Sequence, residues 1–248
     1  MQHGAFVYRL GLSTVTARRP VRFWHVPFVK YPGDALSFNI HSSTPTGARD
    51  INIFWPDNHK RLAVMVSGGY DSALMLYLWA GIIVPSGCSL QAVCTDTGKG
   101  AKEFAKKIVD TVNTLKGRNI ELDILGAPPA AIHHGKKISL PVVHALRDNK
   151  YDCVIAADTT NPPVRLKGVA PMRVRIQDQF KSLNWPLPFL HCDKSHIVDV
   201  VNKLQLHWIT EMSHTCTESF DVRCGMCWQC NERAWAHTLL NITDCGKY

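Results

Sequence analysis

An apolar run that stops at a pair of glycines sets the reading of this chain. Leu62-Ala-Val-Met-Val66 has the length and continuity of a buried strand, and it ends at Ser67-Gly-Gly-Tyr-Asp-Ser72. Asp71 and Ser72 are good helix openers, and Ala73–Ala80 is helix-compatible throughout. Strand, glycine turn and helix in that order open a βαβ unit. The pattern then repeats. Gln91–Thr95 reads as a second strand ending at Asp96-Thr-Gly98, and Lys102–Lys116 as a helix with Phe104, Ile108, Val112 and Leu115 on one face. Ile120, Leu122 and Ile124 alternate with Glu121 and Asp123, the mark of a half-exposed strand. Tyr151–Ala157 is another buried strand, ending at Asp158-Thr-Thr-Asn-Pro-Pro163, and Ser195–Leu206 carries Ile197, Val200, Val201 and Leu204 at helical spacing. The expected class is therefore α/β, a parallel sheet with helices on both faces. Ligands of such sheets gather at the carboxyl ends of the strands, here Ser67–Ser72, Thr95–Gly98 and Asp158–Asn161.

Residues 1–58 read differently, as a small β-rich extension. Phe6–Leu12 and Val21–Val26 suit short strands, and Tyr31-Pro-Gly-Asp34 and Ser42-Ser-Thr-Pro-Thr-Gly47 are turn signals. Residues 59–190 form the expected core, and residues 191–248 a helical, cysteine-bearing region.

Composition excludes some classes. With 46% hydrophobic and 19% charged residues the chain has a globular balance. Its longest apolar runs fall far short of a membrane span, and the amino terminus lacks the basic and apolar blocks of a secretory signal, so a cytoplasmic protein without membrane contact is expected. Lysine and arginine exceed acidic residues by 28 to 20, a net +8 that favours polyphosphates and nucleic acids alike. Arg18, Arg19, Arg22 and Lys30 form one loose cluster; Arg165, Lys167, Arg173 and Arg175 form another. Solvated surface explains the first as well as a binding role does.

The segment Ser67–Ser72 has the chemistry of an anion site. Gly68 and Gly69 allow backbone angles closed to other residues and a close approach to a ligand, so that successive N–H groups of Ser67, Gly68, Gly69, Tyr70, Asp71 and Ser72 can line one concavity. The following helix adds its unpaired donors and positive end. Ser67 and Ser72 add hydroxyls, and Asp71 can cap the helix or hold Mg²⁺ through water. Neither Gly-x-x-x-x-Gly-Lys-Ser/Thr nor a Gly-x-Gly-x-x-Gly after a strand is present. A plain glycine turn with structural caps would account for the same residues.

Four of the nine cysteines gather as Cys216-x7-Cys224-x2-Cys227-x2-Cys230. Four thiolates at this spacing suit tetrahedral Zn²⁺, and a filled shell makes the ion a clamp rather than a Lewis acid. His214 and His237 flank the cluster as substitute ligands. The odd cysteine count fits no closed disulfide framework.

Ser-Gly-Gly-x-Asp-Ser directly after an apolar strand resembles the signature of the PP-loop ATP pyrophosphatase superfamily. That loop, followed by Pro188-Phe-Leu-x3-Lys194-x2-Ile197 and by Cys-Gly-x-Cys-x2-Cys-Asn-Glu-Arg233-Ala234, is similar to the 7-cyano-7-deazaguanine synthases (the QueC family) between Leu62 and His237. The resemblance implies a ligase that cleaves ATP to AMP and pyrophosphate. It would adenylate a 7-deazaguanine-type acid and convert it with ammonia toward amide and nitrile. It further implies ATP, Mg²⁺ and Zn²⁺ as cofactors, Lys194 and Asp71 as catalytic groups at the phosphates, Arg233 beside the zinc loop, and Asp96 in a turn that relatives use to bind adenosine. The chain departs from the family in three places, one of them Thr95-Asp-Thr-Gly-Lys99, which looks closer to relatives that bind adenosine with such a turn than to the deazaguanine synthases. Residues 1–58 precede the first core strand, and Asp158-Thr-Thr-Asn-Pro-Pro-Val-Arg165 stands where the family has a Tyr-Pro-Asp-Cys-Arg-like substrate segment.

Two further readings stay open at this stage. A PP-loop enzyme modifying tRNA or DNA bases would use the same loop, with Cys94, Cys153 or Cys192 as a sulfur-handling thiol. A zinc-knuckle adaptor with a vestigial loop would bind nucleic acid instead. A homodimer is compatible with each.

Overall fold

The computed structural model describes residues 29–30, 36–97, 100–126, 134–168, 170 and 183–246. The expected strands at Phe6–Leu12 and Val21–Val26, the turn at Tyr31–Asp34, and Arg18, Arg19, Arg22, Gly98, Lys99, Arg173 and Arg175 lie outside the described residues. The elements in chain order are β1 (Val29–Lys30), β2 (Leu36–Thr44), β3 (Gly47–Phe54), β4 (Arg61–Met65), α1 (Tyr70–Ala80), β5 (Ser89–Asp96) and α2 (Ala101–Lys116). They continue with β6 (Leu122–Gly126), α3 (His134–Arg147), β7 (Cys153–Ile155), α4 (Lys194–Lys203), α5 (His207–Met212) and α6 (Trp228–Leu239).

Four strands pair in parallel in the order β6-β5-β4-β7. The chain steps outward from β4 to β5 to β6 and then returns to lay β7 on the other flank of β4. That reversal opens a crevice at the carboxyl ends of β4 and β7, where the loop Ser67–Ser72 leaves the sheet. The apolar run of β4 is explained by its central place: Leu62, Ala63 and Val64 are wholly buried. Leu62 and Val64 enter one core, with α1, α2 and α4, while Ala63 enters a second with Val142, Leu146 and Val154 on the α3 side. Helices cover both faces, as expected.

α1 is enclosed almost all round, with Tyr70, Ser72–Leu76 and Leu78–Ala80 buried. A helix apolar on every side belongs in an interior. α2 is amphipathic, but its buried residues are Ala105, Ile108, Val109 and Val112. Leu115, expected on the same face, is 53% exposed, and Ala105 and Val109 are buried instead. α3 has no counterpart in the sequence reading.

Strands β2 and β3 pair antiparallel from Ser37↔Phe54 to Thr44↔Gly47. Their inward residues Ile40, Ile51 and Ile53, with Trp55, join the same core as α1 and α4. Trp79 of α1 donates its indole N–H to the Phe54 carbonyl at 3.0 Å. Among the described residues no helix is long and apolar enough to cross a membrane.

Candidate functional site

The loop after β4 is shaped by close approach. Val66 N–H extends the ladder by one bond to the Val93 carbonyl (2.8 Å), and the chain then turns at Gly68 with φ +79°. A Cβ on Gly68 would lie 2.3 Å from Cβ of Phe104 in the first turn of α2, so both conformation and space require glycine there. Ser67 and Ser72 close the bend: their hydroxyls are 3.2 Å apart, Ser67 N–H donates to Ser72 Oγ at 3.2 Å, and Ser72 Oγ donates to the Gly69 carbonyl at 3.1 Å. Gly69 is the N-cap of α1 and offers no side chain to the first-turn amides. Those donors and the positive helix end remain for a ligand.

Asp71 stands in that first turn, and Lys194 Nζ pairs with its Oδ2. The Lys194 side chain is only 5% exposed, which an ammonium tolerates only when paired. The other carboxylate oxygen, Asp71 Oδ1, is buried with no partner. An orphaned carboxylate oxygen beside an uncapped helix start suits Mg²⁺ reached through water, and the open first-turn amides with Lys194 suit linked phosphates. The Ser67 and Ser72 hydroxyls, expected as ligand donors, are spent within the bend.

Tyr70, grouped with the binding residues on sequence, turns the other way. Its ring is buried, its hydroxyl lies 3.2 Å from Thr210 Oγ1, and the Arg233 guanidinium sits 4.8 Å from the ring centroid. Burial pushes the phenol above its usual range. Only the backbone N–H of Tyr70 is left to serve the loop. Arg233 is fully buried and its donors are spent: Nε and Nη2 on Asp244 at 3.1 and 2.8 Å, Nη1 on the Ser213 carbonyl and hydroxyl, and Nη2 also on the Thr210 carbonyl. It is a clamp. Arg223 Nη1 joins it on Asp244 at 2.6 Å. Burial would raise the Asp244 carboxyl, but the two guanidiniums outweigh it and hold the group well below the usual range.

Asp96 ends β5, and continuing the register Met65↔Val93 sets it beside the loop at the sheet's carboxyl edge. Its carboxylate pairs with Lys102 Nζ at 3.1 Å in an exposed bridge. On the far side of the crevice the chain after β7 is tied to the segment before α4 by Thr160 N–H to the Cys192 carbonyl at 2.7 Å, and Asn161 Oδ1 is buried without a partner.

The thiol sulfurs of Cys216, Cys224, Cys227 and Cys230 all lie within 4.8 Å of one another. Four thiolates around tetrahedral zinc stand about 3.8 Å apart, so the group could hold the ion with a small contraction. Backbone amides already face the sulfurs: Ser219 N–H to Cys216 Sγ at 3.3 Å, and Cys227 and Met226 N–H to Cys224 Sγ at 3.2 and 3.4 Å. Those last two bonds draw the Cys224 thiol down to about 6. Gly225 turns the chain there with φ +69°. Neither flanking histidine joins the cluster. His214 stacks on Phe104 (centroids 4.6 Å, 8°) with Nε2 2.6 Å from the Ser219 carbonyl, and the His237 ring meets Tyr70 edge-on at 5.8 Å. Cys94, Cys153 and Cys192 are buried core thiols, each pushed up to about 12 by burial. A thiol so far from ionising makes a poor sulfur-transfer nucleophile.

Sequence reasoning passed over Phe220 and Asp244, and read Phe104 only as part of an apolar helix face. Phe104 supports the loop from α2, Phe220 lies against Gly100 at the start of α2, and Asp244 ties Arg223 to Arg233. No local pattern marks them, since each acts across the fold.

No family model and no curated protein matches the chain. Among solved structures it is similar to NMN synthetase from Francisella tularensis, at 13% identity and a TM-score of 0.42 over 75% of this chain and 79% of that one. It is also similar to the NH3-dependent NAD synthetase from Campylobacter jejuni subsp. jejuni, at 15% identity and a TM-score of 0.37 over 61% of this chain and 66% of that one.

Proposed function

We propose that this chain is a PP-loop ATP-dependent ligase that adenylates a carboxylate or carbonyl oxygen of a 7-deazaguanine-type substrate. Ammonia then converts the activated carbon toward amide and nitrile, with release of AMP and pyrophosphate. The observation that carries the reading is the buried Lys194 ammonium on Asp71, at the uncapped start of α1, with Asp71 Oδ1 left unpaired.

Adenylation answers a leaving-group problem, because oxide and hydroxide leave a carboxyl carbon poorly and AMP leaves it readily. The substrate oxygen attacks the α-phosphorus, and the bond to the bridging oxygen breaks with its electron pair going to pyrophosphate. The amides of Gly68 and the first turn of α1, together with Lys194, would face the charge that builds there, while the hydroxyls of Ser67 and Ser72 hold the bend closed. Mg²⁺ held through Asp71 would neutralise the leaving pyrophosphate. Ammonia next adds to the activated carbon and AMP departs. For the nitrile, the amide oxygen attacks the α-phosphorus of a second ATP with loss of pyrophosphate. AMP then leaves with the C–O electron pair as the nitrogen gives up its protons and the C≡N bond forms. No strong general base is demanded of the protein.

The substrate class rests on the segment Pro188–Ile197 and the cysteine motif, both of which resemble the deazaguanine synthases. Zinc on the four cysteines would act as a staple. The deciding experiment supplies ATP, Mg²⁺, ammonium and 7-carboxy-7-deazaguanine and resolves the products. AMP and pyrophosphate formed together with the amide or nitrile support the reading. ADP, or turnover only when tRNA or DNA is added, overturns it.

A further inference from the structure

α4 begins at Lys194, and the turn between β2 and β3 grips that beginning. The Asp193 carboxylate caps the helix, accepting from Ser195 N–H at 2.9 Å and from Ser195 Oγ at 2.5 Å. The same Ser195 oxygen lies 3.1 Å from Thr44 Oγ1 and 3.3 Å from Thr46 Oγ1. His196, 1% exposed, sets Nδ1 3.0 Å from the Asp193 carboxylate and 3.2 Å from the Asp193 amide nitrogen. On its other edge Nε2 lies 3.2 Å from the Gly47 carbonyl, which it meets as a donor. Just upstream, Arg49 Nε donates to the His191 carbonyl and His191 Nε2 to the Asp50 carbonyl, both at 2.9 Å. One turn further along α4, Asp199 accepts from the Ser42 hydroxyl at 2.8 Å and the Ser43 amide at 3.2 Å.

Apolar contact alone would keep α4 in the core yet leave its rotation and rise soft, because dispersion has little direction. Hydrogen bonds of fixed geometry at its first turn remove that freedom. We propose that the turn formed by residues 44–47 is a positioning device for Lys194, with His196 the residue that transmits its hold. It sets the long lysine side chain so that Nζ meets Asp71 at the phosphate loop. The hold on Lys194 stands by itself; its bearing on nucleotide binding rests on the function proposed above.

Two measurements on the full chain test this. Lysine acylation followed by peptide mass spectrometry reads whether Nζ of Lys194 is shielded. Lys194 should resist labelling in the wild type and react about tenfold faster in His196→Phe, and by a smaller factor in Thr46→Val. Should His196→Phe fail to fold by circular dichroism, Thr46→Val decides. Unchanged labelling in a folded variant overturns the proposal. Calorimetric titration with ATP and Mg²⁺ reads the consequence. His196→Phe should bind about tenfold more weakly, yet change the affinity by less than about twofold once Lys194→Met is already present. Additive losses would mean general loosening rather than action through Lys194, and would overturn it. If the wild type binds no ATP, the proposed function fails while the labelling result still decides the positioning.

Discussion

The His214 amide donates to the Gly68 carbonyl at 2.9 Å, which ties the chain leading into the cysteine cluster to the tightest bend of the phosphate loop. Phe104 braces the same junction, stacked on the His214 ring and pressed against Gly68. The candidate metal and nucleotide sites therefore share a wall.

Removing the metal should be felt at the loop. Cys227→Ser, or prolonged chelation, is expected to release about one zinc ion per chain and to weaken ATP binding by about tenfold or more as His214 loses its anchor. Emission spectroscopy for zinc and calorimetry for ATP check the two halves. Zinc loss with unchanged ATP affinity would uncouple the sites.

Gly68→Ala should abolish ATP cleavage with modest damage to the fold. The positive φ costs about 1–2 kcal/mol, and the added methyl must displace Phe104. Pyrophosphate release and the thermal midpoint measure the two effects. Retained turnover would remove the loop from the mechanism.

Asp71→Asn leaves Lys194 buried without its counter-charge. Turnover should fall by about a hundredfold or more, and stability by about 3 kcal/mol, the usual cost of breaking a buried pair from one side. The double change Asp71→Asn, Lys194→Met should recover part of the stability and none of the activity, as denaturant titration and product assays would report.

Acid should loosen the start of α4. Burial would raise the Asp193 carboxyl, but hydrogen bonds from His196 and Ser195 outweigh it and bring the group down to about 2. A carboxyl depressed in the folded state stabilises fully above its unfolded value near 4. That contribution, about 2 kcal/mol, is lost as pH falls from about 4 to 2. Denaturant midpoints for the wild type and Asp193→Asn should diverge above pH ~4 and converge below it; parallel curves would count against the cap.

Cys192→Ala should leave turnover within about twofold of the wild type, because its thiol is a core side chain and only its carbonyl ties down Thr160. Loss of activity with the fold intact would reopen the sulfur-transfer reading.

Much of the architecture was legible because it is written locally. β4, β5 and β7 are apolar runs closed by turn residues, and the four cysteines announce themselves by spacing. α3 was not legible: Pro141 sits inside it, without an N–H to donate, and breaks the helical pattern. The direction of Tyr70 was hidden as well, since a motif names the residue at a helix start without saying which neighbours it will meet. The pairing of Lys194 with Asp71 spans 123 positions, and the hold of the β2–β3 turn on α4 crosses a similar gap. Contacts of that separation are settled by the topology of the sheet, which no window of sequence contains.

The enclosure of α1 on nearly every side has a thermodynamic corollary. A helix walled in by sheet, hairpin and neighbouring helices cannot tilt or slide, so the amides at its first turn keep their aim before any anion arrives. On the function proposed above, little ordering would remain to be done on association, and the favourable enthalpy of phosphate capture would be largely retained as affinity.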